Sequence, residues 1–411
     1  MREVFLTFLR LGSTSFGGPV AHLAYFRRTF VEERGWLDEA SYARVVAFCS
    51  VLPGPTSSQV GMLVGLTRGG PAGAFLAWLG FTAPSAILMA LIAAALTSLG
   101  VLTGAGAHSG VAAATSAGTA AGEPMPPTWL GGLLGGLFAA AAAVVAQAVL
   151  GLRRALVTDA ATALIAAGAA ALALALRGAP GLQWLPIAAG AALGALALRG
   201  EVQAAQGLPI RVPRAVALAA AALVVALVAL TLVPHASPAP RFAATLVRAG
   251  ALVFGGGHVV LPLLETTVRD GLLDERTFLA GYGAVQAMPG PLFTFASFLG
   301  EANRSPLHGA LGALLATVLI FAPSFALIFA LAPVWNRIVA SPHAAGALRG
   351  ANAAVVGLLA AVLYDPILTG LAGHWARMAL ALAAFAVLVR FKLPPWVVVV
   401  GAAALGALAR A

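Results

Sequence analysis

The chain has 411 residues, of which 61% are hydrophobic and 9% are charged. A soluble protein carries about 25% charged residues, so a water-soluble fold is excluded. At about 20 residues per bilayer crossing, the apolar residues suffice for about twelve or thirteen membrane segments, which leaves no sizeable soluble domain. The 24 basic residues outnumber the 14 acidic ones, but they lie mostly in short loops, as topology signals do. The expected partner is therefore the lipid bilayer and not nucleic acid.

About thirteen apolar stretches are predicted to be membrane segments. The predicted fold is an all-α integral membrane protein, a polytopic helical bundle of about 10–13 transmembrane or re-entrant helices. In chain order the stretches cover residues 4–26, 40–67, 71–99, 129–150, 156–176, 182–199, 213–233, 241–264, 276–300, 306–334, 346–363, 377–391 and 394–409.

Basic residues in the loops predict on which side of the membrane each loop lies. The stretch 101–128 contains no Lys or Arg and is predicted to be a flexible external loop. The arginines predicted to stay in the cytoplasm are Arg153, Arg154, Arg199, Arg211 and Arg214. Counting crossings puts Arg27 and Arg28 outside, unless the first stretch is re-entrant or nearby carboxylates balance the pair. Both explanations stay open.

Four motifs occur twice in the same order, which indicates an internal duplication. They pair Phe16-Gly17-Gly18-Pro19 with Phe254-Gly255-Gly256-Gly257, Trp36-Leu37-Asp38-Glu39 with Leu272-Leu273-Asp274-Glu275, Leu52-Pro53-Gly54-Pro55 with Met288-Pro289-Gly290-Pro291, and Phe81-Thr82-Ala83-Pro84-Ser85 with Phe321-Ala322-Pro323-Ser324. The predicted organisation is a first transporter repeat over 1–200, a linker with an extra transmembrane helix over 201–239, and a second repeat over 240–411.

The two repeats are predicted to be inverted relative to each other. Seven stretches separate their starts, and an odd number of crossings reverses the orientation, as in many secondary transporters. Turning one stretch per repeat into a hairpin would make the repeats parallel, whereas turning two would restore the inversion.

Glycine and proline interrupt the first two apolar stretches of each repeat. Such breaks free backbone N–H groups, which lipid cannot satisfy, and the N-termini of half-helices attract anions. The breaks therefore predict an anion site, against the alternative that the glycines only let helices pack closely. The predicted substrate-binding residues are Arg10, Ser13, Ser15, Gly17, Gly18, Pro19, Pro53, Gly54 and Pro55 in the first repeat and Arg248, Gly255, Gly256, Pro289, Gly290 and Pro291 in the second.

Several polar residues near the breaks have two interpretations. A charge at membrane depth costs at least ~2.5 kcal/mol, so Arg10 either faces a cavity or substrate, or extends to the interface along its aliphatic stem. His22, His258 and Glu265 are candidate proton carriers, or simply hydrogen-bonding residues. The uncharged donors beside the Pro-Gly-Pro motifs suit an oxyanion or cap the broken helices; they are Ser57, Ser58, Gln59 and Gln286.

Enzyme signatures are missing from the sequence. It contains no HExxH, GxxxxGK[ST] or GxSxG motif, and these are the motifs that carry metalloprotease, nucleotide and serine-hydrolase chemistry. Its one cysteine, Cys49, cannot form an internal disulfide or a cysteine metal cage. Neither an enzyme activity, a metal site nor a cofactor is predicted.

The motif set resembles the chromate ion transporter family in its long, two-domain form. The resemblance rests on Phe16-Gly17-Gly18-Pro19, Leu52-Pro53-Gly54-Pro55, Phe81, Pro84 and Ser85, together with their second copies. It implies a bacterial inner-membrane exporter that confers chromate resistance and is driven by the proton-motive force. Single-domain relatives work as pairs of opposite orientation, which fits the predicted inversion. The second copy departs from the pattern at Gly257 and Met288.

The predicted function is export of chromate by a secondary active transporter, an antiporter that also has the potential to form a homo-oligomer. Chromate and sulfate are both tetrahedral dianions that need several N–H or O–H donors, so a sulfate carrier is one alternative. A passive anion channel is another, and a membrane scaffold a third. A scaffold has no need of paired broken helices.

Overall fold

The structure is a computed structural model. It describes residues 1–16, 18–98, 128–176, 185–198, 212–233, 235–253, 260–269, 271–335, 341–391, 393 and 395–409. Every regular element in these ranges is helical, and five of the described helices are long and apolar enough to cross a membrane. The predicted all-α polytopic membrane fold is confirmed. The predicted loop at 101–128 lies outside the described residues, apart from Thr128.

The first 232 residues supply eight described helices. They are α1 (Arg2–Thr14), α2 (Gly18–Arg27, continued by the π-helical turn Arg28–Glu33), α3 (Glu39–Val51), α4 (Thr56–Ser98), α5 (Thr128–Leu156), α6 (Ala160–Ala175), α7 (Leu185–Ala197) and α8 (Arg214–Leu232).

The remaining described helices follow the same plan at first. They are α9 (Pro238–Leu252), α10 (Val260–Leu264), α11 (Thr266–Arg269), α12 (Glu275–Gln286), α13 (Phe295–Ala302, preceded by the 3₁₀ turn Leu292–Thr294), α14 (Gly309–Leu331), α15 (Pro342–Val362, continued by π-helical Leu363–Leu368), α16 (Thr369–Leu371), α17 (Trp375–Ala386) and α18 (Pro395–Ala409).

The first apolar stretch folds back on itself. The ring of Phe8 in α1 lies 5.9 Å from that of Phe26 in α2 and 5.1 Å from that of Phe30. Glu3 at the start of α1 forms an ion pair of 2.7 Å with Arg34, beyond the end of α2. Helices α1 and α2 are therefore the two limbs of a helical hairpin. The first limb is followed by Ser15, and the second begins at Gly18.

The second apolar stretch forms another hairpin beside the first. The guanidinium of Arg68 lies over the ring of Trp36, 5.2 Å from its centroid, and that of Arg34 lies 5.4 Å from it. Trp36 precedes α3, and Arg68 ends the first part of α4. The start of the first limb and the end of the second limb therefore lie at the same level. The tip is at Pro53-Gly54-Pro55. Both hairpins therefore have their open ends on one side of the molecule, the side of Glu3 and Trp36. We call this the entry side of the first half.

Helix α4 is two helices joined at a sharp turn. Gly69 and Gly70 have non-helical backbone angles, and Gly70 has φ +61°. Gly65 lies against the carbonyl of Gly73 across this turn, so the chain reverses there. We call the parts α4a (56–68) and α4b (71–98). Helix α4b, at about 1.5 Å per residue, is long enough to cross the bilayer.

The second half repeats these contacts. The Arg304 N–H donates to the Leu272 carbonyl at 2.9 Å, so α12 and α13 form a hairpin with its tip at Pro289-Gly290-Pro291. Helices α10 and α11 pack against α9. Gly300 in α13 lies against the carbonyl of Gly312 in α14, as Gly65 does against that of Gly73.

The four apolar stretches that carry the breaks are therefore hairpins, and the other nine correspond to single helices. The re-entrant first stretch was one of the two explanations for Arg27 and Arg28. The second also holds, because Arg27 pairs with Glu32 at 2.5 Å and with Glu39 at 2.8 Å, and Arg28 pairs with Glu33 at 2.8 Å. The inversion of the two halves and the boundaries 1–200, 201–239 and 240–411 stay predictions.

Candidate oxyanion site at the hairpin tips

The tips of the hairpins meet across the two halves. The Gly54 N–H donates to the carbonyl of Val253, the residue after α9, at 2.6 Å. In return, the Gly290 N–H donates to the carbonyl of Ser15, the residue after α1, at 2.9 Å. Each Pro-Gly-Pro tip is thus hydrogen-bonded to the helix break of the other half. We call these two bonds the reciprocal tip bonds.

Glycine is required in both Pro-Gly-Pro tips. Gly54 has φ +122° and Gly290 has φ +84°, which side chains rarely adopt. A Cβ on Gly54 would collide with the hydroxyl of Ser324 in α14. A Cβ on Gly290 would lie 3.0 Å from the hydroxyl of Ser85 in α4b. The duplicated Pro-Ser motifs therefore form the surface on which the opposite tip rests.

Polar side chains collect at the tips of the first half. His22 bridges them, with its Nδ1 3.1 Å from the Ser57 hydroxyl and its Nε2 3.1 Å from the Ser15 carbonyl. Because a carbonyl oxygen only accepts, Nε2 carries a proton. In the neutral ring Nδ1 then accepts from Ser57. We call Ser15, His22, Ser57, Ser58 and Gln59 the tip cluster.

The tip cluster holds hydrogen-bonding capacity that the described protein does not use. The Ser15 hydroxyl, the Ser58 hydroxyl and Gln59 Oε1 are buried and have no partner among the described residues. The Thr82 hydroxyl in α4b is likewise buried and has no partner among the described residues. An unpaired buried polar group costs about 1–3 kcal/mol. Ser15, Ser58 and Gln59 lie within a few residues of two helix breaks, which makes these breaks the candidate ligand site.

The five residues of the tip cluster carry no fixed charge, and the positive end of the local field comes from the backbone. Helix α2 begins at Gly18 and α4a at Thr56, so the N-termini of both helices lie at the tips. The first N–H groups of a helix have no acceptor inside it, and they carry a partial positive charge. Together with the hydroxyls of Ser15 and Ser58, they offer the donors that a tetrahedral oxyanion needs.

Arg10 lies one helical turn before the tip, on the exposed side of α1. Ser13 and Thr14 share this face and are exposed as well. Their hydroxyls donate to the carbonyls of Leu9 and Arg10 at 2.9 and 2.7 Å. The structure thus separates Arg10 and Ser13, on the exposed face, from Ser15, which is buried. Their role in binding stays a prediction.

Arg248 has different surroundings from Arg10. Its guanidinium donates to the Thr231 carbonyl in the last turn of α8 at 2.9 Å. It also borders a pocket of about 340 Å³ between α8, α9 and α14, which is lined mainly by apolar side chains and reaches Pro53. The described contacts place Arg248 at the end of α8, in a role that resembles helix capping.

Other predicted site residues are only partly described. Gly18 begins α2 with φ +76°, whereas Gly17, Gly255, Gly256 and His258 lie outside the described residues, as does the side chain of Pro19. Glu265 is buried and follows α10 directly. Proton coupling through His22, His258 or Glu265 stays a prediction.

Sequence reasoning did not single out all of these residues. It offered Ser57, Ser58, Gln59 and Gln286 as oxyanion donors or as helix caps, and it did not weigh Thr82 or Ser324. The duplicated Pro-Ser motif was the available signal, because a hydroxyl that occurs at the same place in both copies indicates a shared contact.

The family of this chain follows from its similarity to known proteins. The family model described as chromate transporter matches residues 2–122 and 240–407. This chain belongs to the chromate transporter family. The resemblance expected from the motifs is confirmed, and the members of this family are transporters and not enzymes. Membership establishes a multi-pass membrane transporter of an oxyanion and supports chromate as that oxyanion.

Curated relatives cover most of the chain. It is 28% identical to a chromate transport protein of Pseudomonas aeruginosa over 88% of this chain and 80% of the relative. It is 26% identical to a probable chromate transport protein of Synechococcus elongatus over 88% of this chain and 83% of the relative. A chromate transport protein of Cupriavidus metallidurans is 34% identical over 25% of this chain and 26% of the relative. No solved structure matches the chain significantly.

Proposed function

We propose that this protein exports chromate from the cytoplasm across the bacterial inner membrane and that it is driven by the proton-motive force. The observation that carries the proposal is the pair of buried hydroxyls of Ser15 and Ser58, which lie beside two helix N-termini and have no partner in the part of the chain that the structure describes. Neutral donors of this kind hold an oxyanion strongly enough for recognition and loosely enough for release, because no fixed countercharge retains it.

The tip cluster lies near the middle of the membrane. Helix α1 has 13 residues and spans about 20 Å at about 1.5 Å per residue, which carries the chain beyond the midplane of a hydrocarbon core about 30 Å thick. A central site between broken helices is the usual arrangement of secondary transporters. Movement of the hairpin tips would then open the site to one side of the membrane at a time.

Two observations support inverted repeats. Each half contains two hairpins, so α4b, α5, α6, α7 and α8 are the crossings that separate them, and five crossings reverse the orientation. Independently, the ring of Phe48 in α3 lies 4.7 Å from that of Trp335, which follows α14. Trp335 is about 16 Å beyond the level of Ser324. Phe48 lies between the tip and the entry side of the first half. Trp335 therefore reaches Phe48 only if α14 runs in the direction opposite to α4b.

We assign the entry side of the first half to the cytoplasmic face of the membrane. Arg153 and Arg154 in the last turn of α5 and Arg214 at the start of α8 fall on that side by the same count, in agreement with the excess of positive charge inside. The exposed face of α1, with Arg10, Ser13 and Thr14, then leads from the cytoplasm to the tips. A charged residue at this depth faces water, so Arg10 draws anions towards the site.

The membrane potential favours export of a dianion. Moving one charge through 100 mV is worth about 2.3 kcal/mol, so a dianion leaving a cell that is negative inside gains about 4.6 kcal/mol per 100 mV. Proton exchange would add to this driving force, and His22 is the titratable residue of the tip cluster. A His22→Gln variant that keeps its response to a proton gradient would exclude this histidine as the proton carrier.

Uptake of labelled chromate into inside-out vesicles tests the function. We expect uptake by the wild type that depends on an imposed potential and on a proton gradient, and none in vesicles without the protein. The Arg10→Gln variant should lose several-fold in uptake rate at low ionic strength, with a smaller loss at high salt, since screening weakens steering. Arg10→Lys is the matched control. Uptake that follows the imposed potential but does not depend on a proton gradient at fixed potential would contradict coupled export and favour a passive channel.

A further inference from the structure

We propose that the pocket between α8, α9 and α14 is the outer part of the substrate path, and that α8 closes this path in the present conformation. This inference rests on the proposed function, because it names the route by which the anion leaves the tip cluster. Helix α8 is the extra helix between the two repeats, and neither the duplicated motifs nor the hairpins account for it.

The pocket begins beside the tip cluster. Its volume is about 340 Å³, and it reaches Pro53, the first proline of the Pro-Gly-Pro tip. The Pro53 carbonyl accepts from the Gln59 amide at 2.6 Å. Pro53 therefore contacts both the pocket and a member of the tip cluster. Pockets that hold small ligands have volumes of about 300–1,000 Å³, so this one is large enough to admit an oxyanion.

The pocket is the counterpart of the exposed face of α1. Three residues of α9 line it, and their counterparts in α1 are the three residues of that face. The pairs are Arg248 with Arg10, Ala251 with Ser13, and Leu252 with Thr14. The face of α1 leads from the cytoplasm to the tips in the proposed function. In an inverted repeat, the same face of α9 leads from the tips to the outside.

Helix α8 covers this face of α9. Leu227 and Val228 of α8 line the pocket, and the Thr231 carbonyl accepts from the Arg248 guanidinium at 2.9 Å. The contact surface that holds α8 is small, because only Ala220 is buried among its 19 described residues. Segments with few buried contacts open at a low free-energy cost. Helix α8 is therefore suited to moving away from α9.

The apolar lining keeps the pocket closed to ions while α8 is in place. Ala251 and Leu252 stand where the first half has the hydroxyls of Ser13 and Thr14. An apolar constriction loses its water, and it conducts ions only after it widens enough to be hydrated. The first half thus has an exposed polar approach to the tips, and the second half has a covered apolar one. This difference is expected of a transporter whose site faces the cytoplasm.

Filling the pocket tests whether the substrate passes through it. Ala251→Trp places a large side chain among the lining residues, and uptake of labelled chromate into inside-out vesicles is measured over a range of concentrations. We expect the maximal rate to fall at least about tenfold without a rise in KM, because the tips are still reached from the cytoplasm. Damage to the tip cluster would raise the KM instead.

Leu218→Trp is the matched control for the filled pocket. Leu218 is 72% exposed on α8 and is not among the lining residues, so the maximal rate should stay unchanged. Thermal unfolding in detergent checks that both variants fold. A folded Ala251→Trp variant that transports at the wild-type rate would overturn the proposal, as would an equal loss of rate in both variants.

The two faces of α8 test its role as the cover. Leu227 lines the pocket, whereas Val225 is 69% exposed and does not. The full-length chain is reconstituted in liposomes loaded with labelled chromate, and release is measured without a proton gradient or potential. Leu227→Ser should hydrate the closed pocket and raise this release several-fold, and Val225→Ser should not. Equal release from the two variants would overturn the proposal.

The two experiments support each other. If a variant of one experiment does not fold, the other experiment decides. Absence of chromate transport by the wild type would reject the proposed function, and this inference with it. Transport by the wild type that neither Ala251→Trp nor Leu227→Ser alters would reject this inference alone.

Discussion

The hairpin tips of the two halves share their backbone and differ in their side chains. Both contain a Pro-Gly-Pro turn with a positive φ at the glycine, and both donate a hydrogen bond to the break in the other half. The side chains that follow are polar in the first half and mostly aromatic in the second. Ser57, Ser58 and Gln59 correspond to Phe293, Thr294 and Phe295, when the Pro-Gly-Pro motifs are superposed.

The difference extends to the first break of each half. Ser15 corresponds to Val253, and His22 corresponds to Val260. Phe293, Phe295 and Val260 are buried, and the Thr294 hydroxyl is already bonded to the Pro291 carbonyl at 2.8 Å. The positions of the tip cluster are thus occupied by hydrocarbon side chains in the second half, apart from Thr294. We infer that both halves supply the reciprocal tip bonds and that the first half supplies the side chains that bind the substrate.

The largest effect is expected where the halves are alike. Gly54→Ala and Gly290→Ala should both destabilise the protein, because a side chain at positive φ costs on the order of 1–3 kcal/mol and would press on the opposite half. Gly54→Ala should be the worse of the two, since its Cβ would collide with two side chains. Thermal unfolding in detergent measures this, together with chromate uptake.

Gly35→Ala is the matched control for the glycine variants. Gly35 also has a positive φ, of +58°, but nothing lies within 4 Å of an added Cβ. It isolates the backbone cost from the clash between the halves. If Gly35→Ala destabilises as much as Gly54→Ala, the clash of the added Cβ with Ser324 and Gln59 adds nothing to the backbone cost.

A smaller effect, confined to transport, is expected where the halves differ. Ser58→Ala and Ser15→Ala should each raise the KM for chromate about tenfold to a hundredfold, because a hydrogen bond to a charged group is worth about 1.5–3 kcal/mol. Thr294→Ala, the counterpart of Ser58→Ala, should leave the KM unchanged. Uptake into inside-out vesicles over a range of chromate concentrations measures both. Equal shifts for Ser58→Ala and Thr294→Ala would show that both tips bind substrate.

The sequence was sufficient to predict the fold class, the helical stretches and the position of the breaks. Apolar runs, Pro-Gly-Pro motifs and duplicated landmarks are local signals, and they report on segments one at a time. The folding back of 4–26 and 40–67 was not decided by them, because a hairpin and a crossing have the same composition. That decision depends on contacts such as Glu3 with Arg34 and Trp36 with Arg68, which join residues distant in the chain.

The site was only partly predictable for a similar reason. The glycines and prolines of the tips were identified because they interrupt helices. The polar groups of Ser58, Gln59 and Thr82 that lack a partner among the described residues were identified only through their burial. Sequence periodicity does not specify burial in a helix that is apolar on all sides. Arg10 and Arg248 occupy corresponding positions in the sequence, yet one is exposed and the other reaches the end of α8.

The smallest effect is expected at the helix caps, where the halves are again alike. Asp38 accepts from the Ser41 N–H at the start of α3, and Asp274 accepts from the Thr277 N–H at the start of α12, both at 2.8 Å. Asp38→Ala and Asp274→Ala should lower the unfolding temperature slightly and by similar amounts, without changing the KM for chromate.

The bonds from the Ser41 N–H and hydroxyl lower the pKa of Asp38. A carboxylate with a lowered pKa in the folded state stabilises the protein above its unfolded pKa and loses this contribution as the pH falls through the folded value. The difference in unfolding temperature between wild type and Asp38→Ala should therefore shrink on acidification. A difference that stays constant down to strongly acidic pH would mean that Asp38 acts through packing and not through its charge.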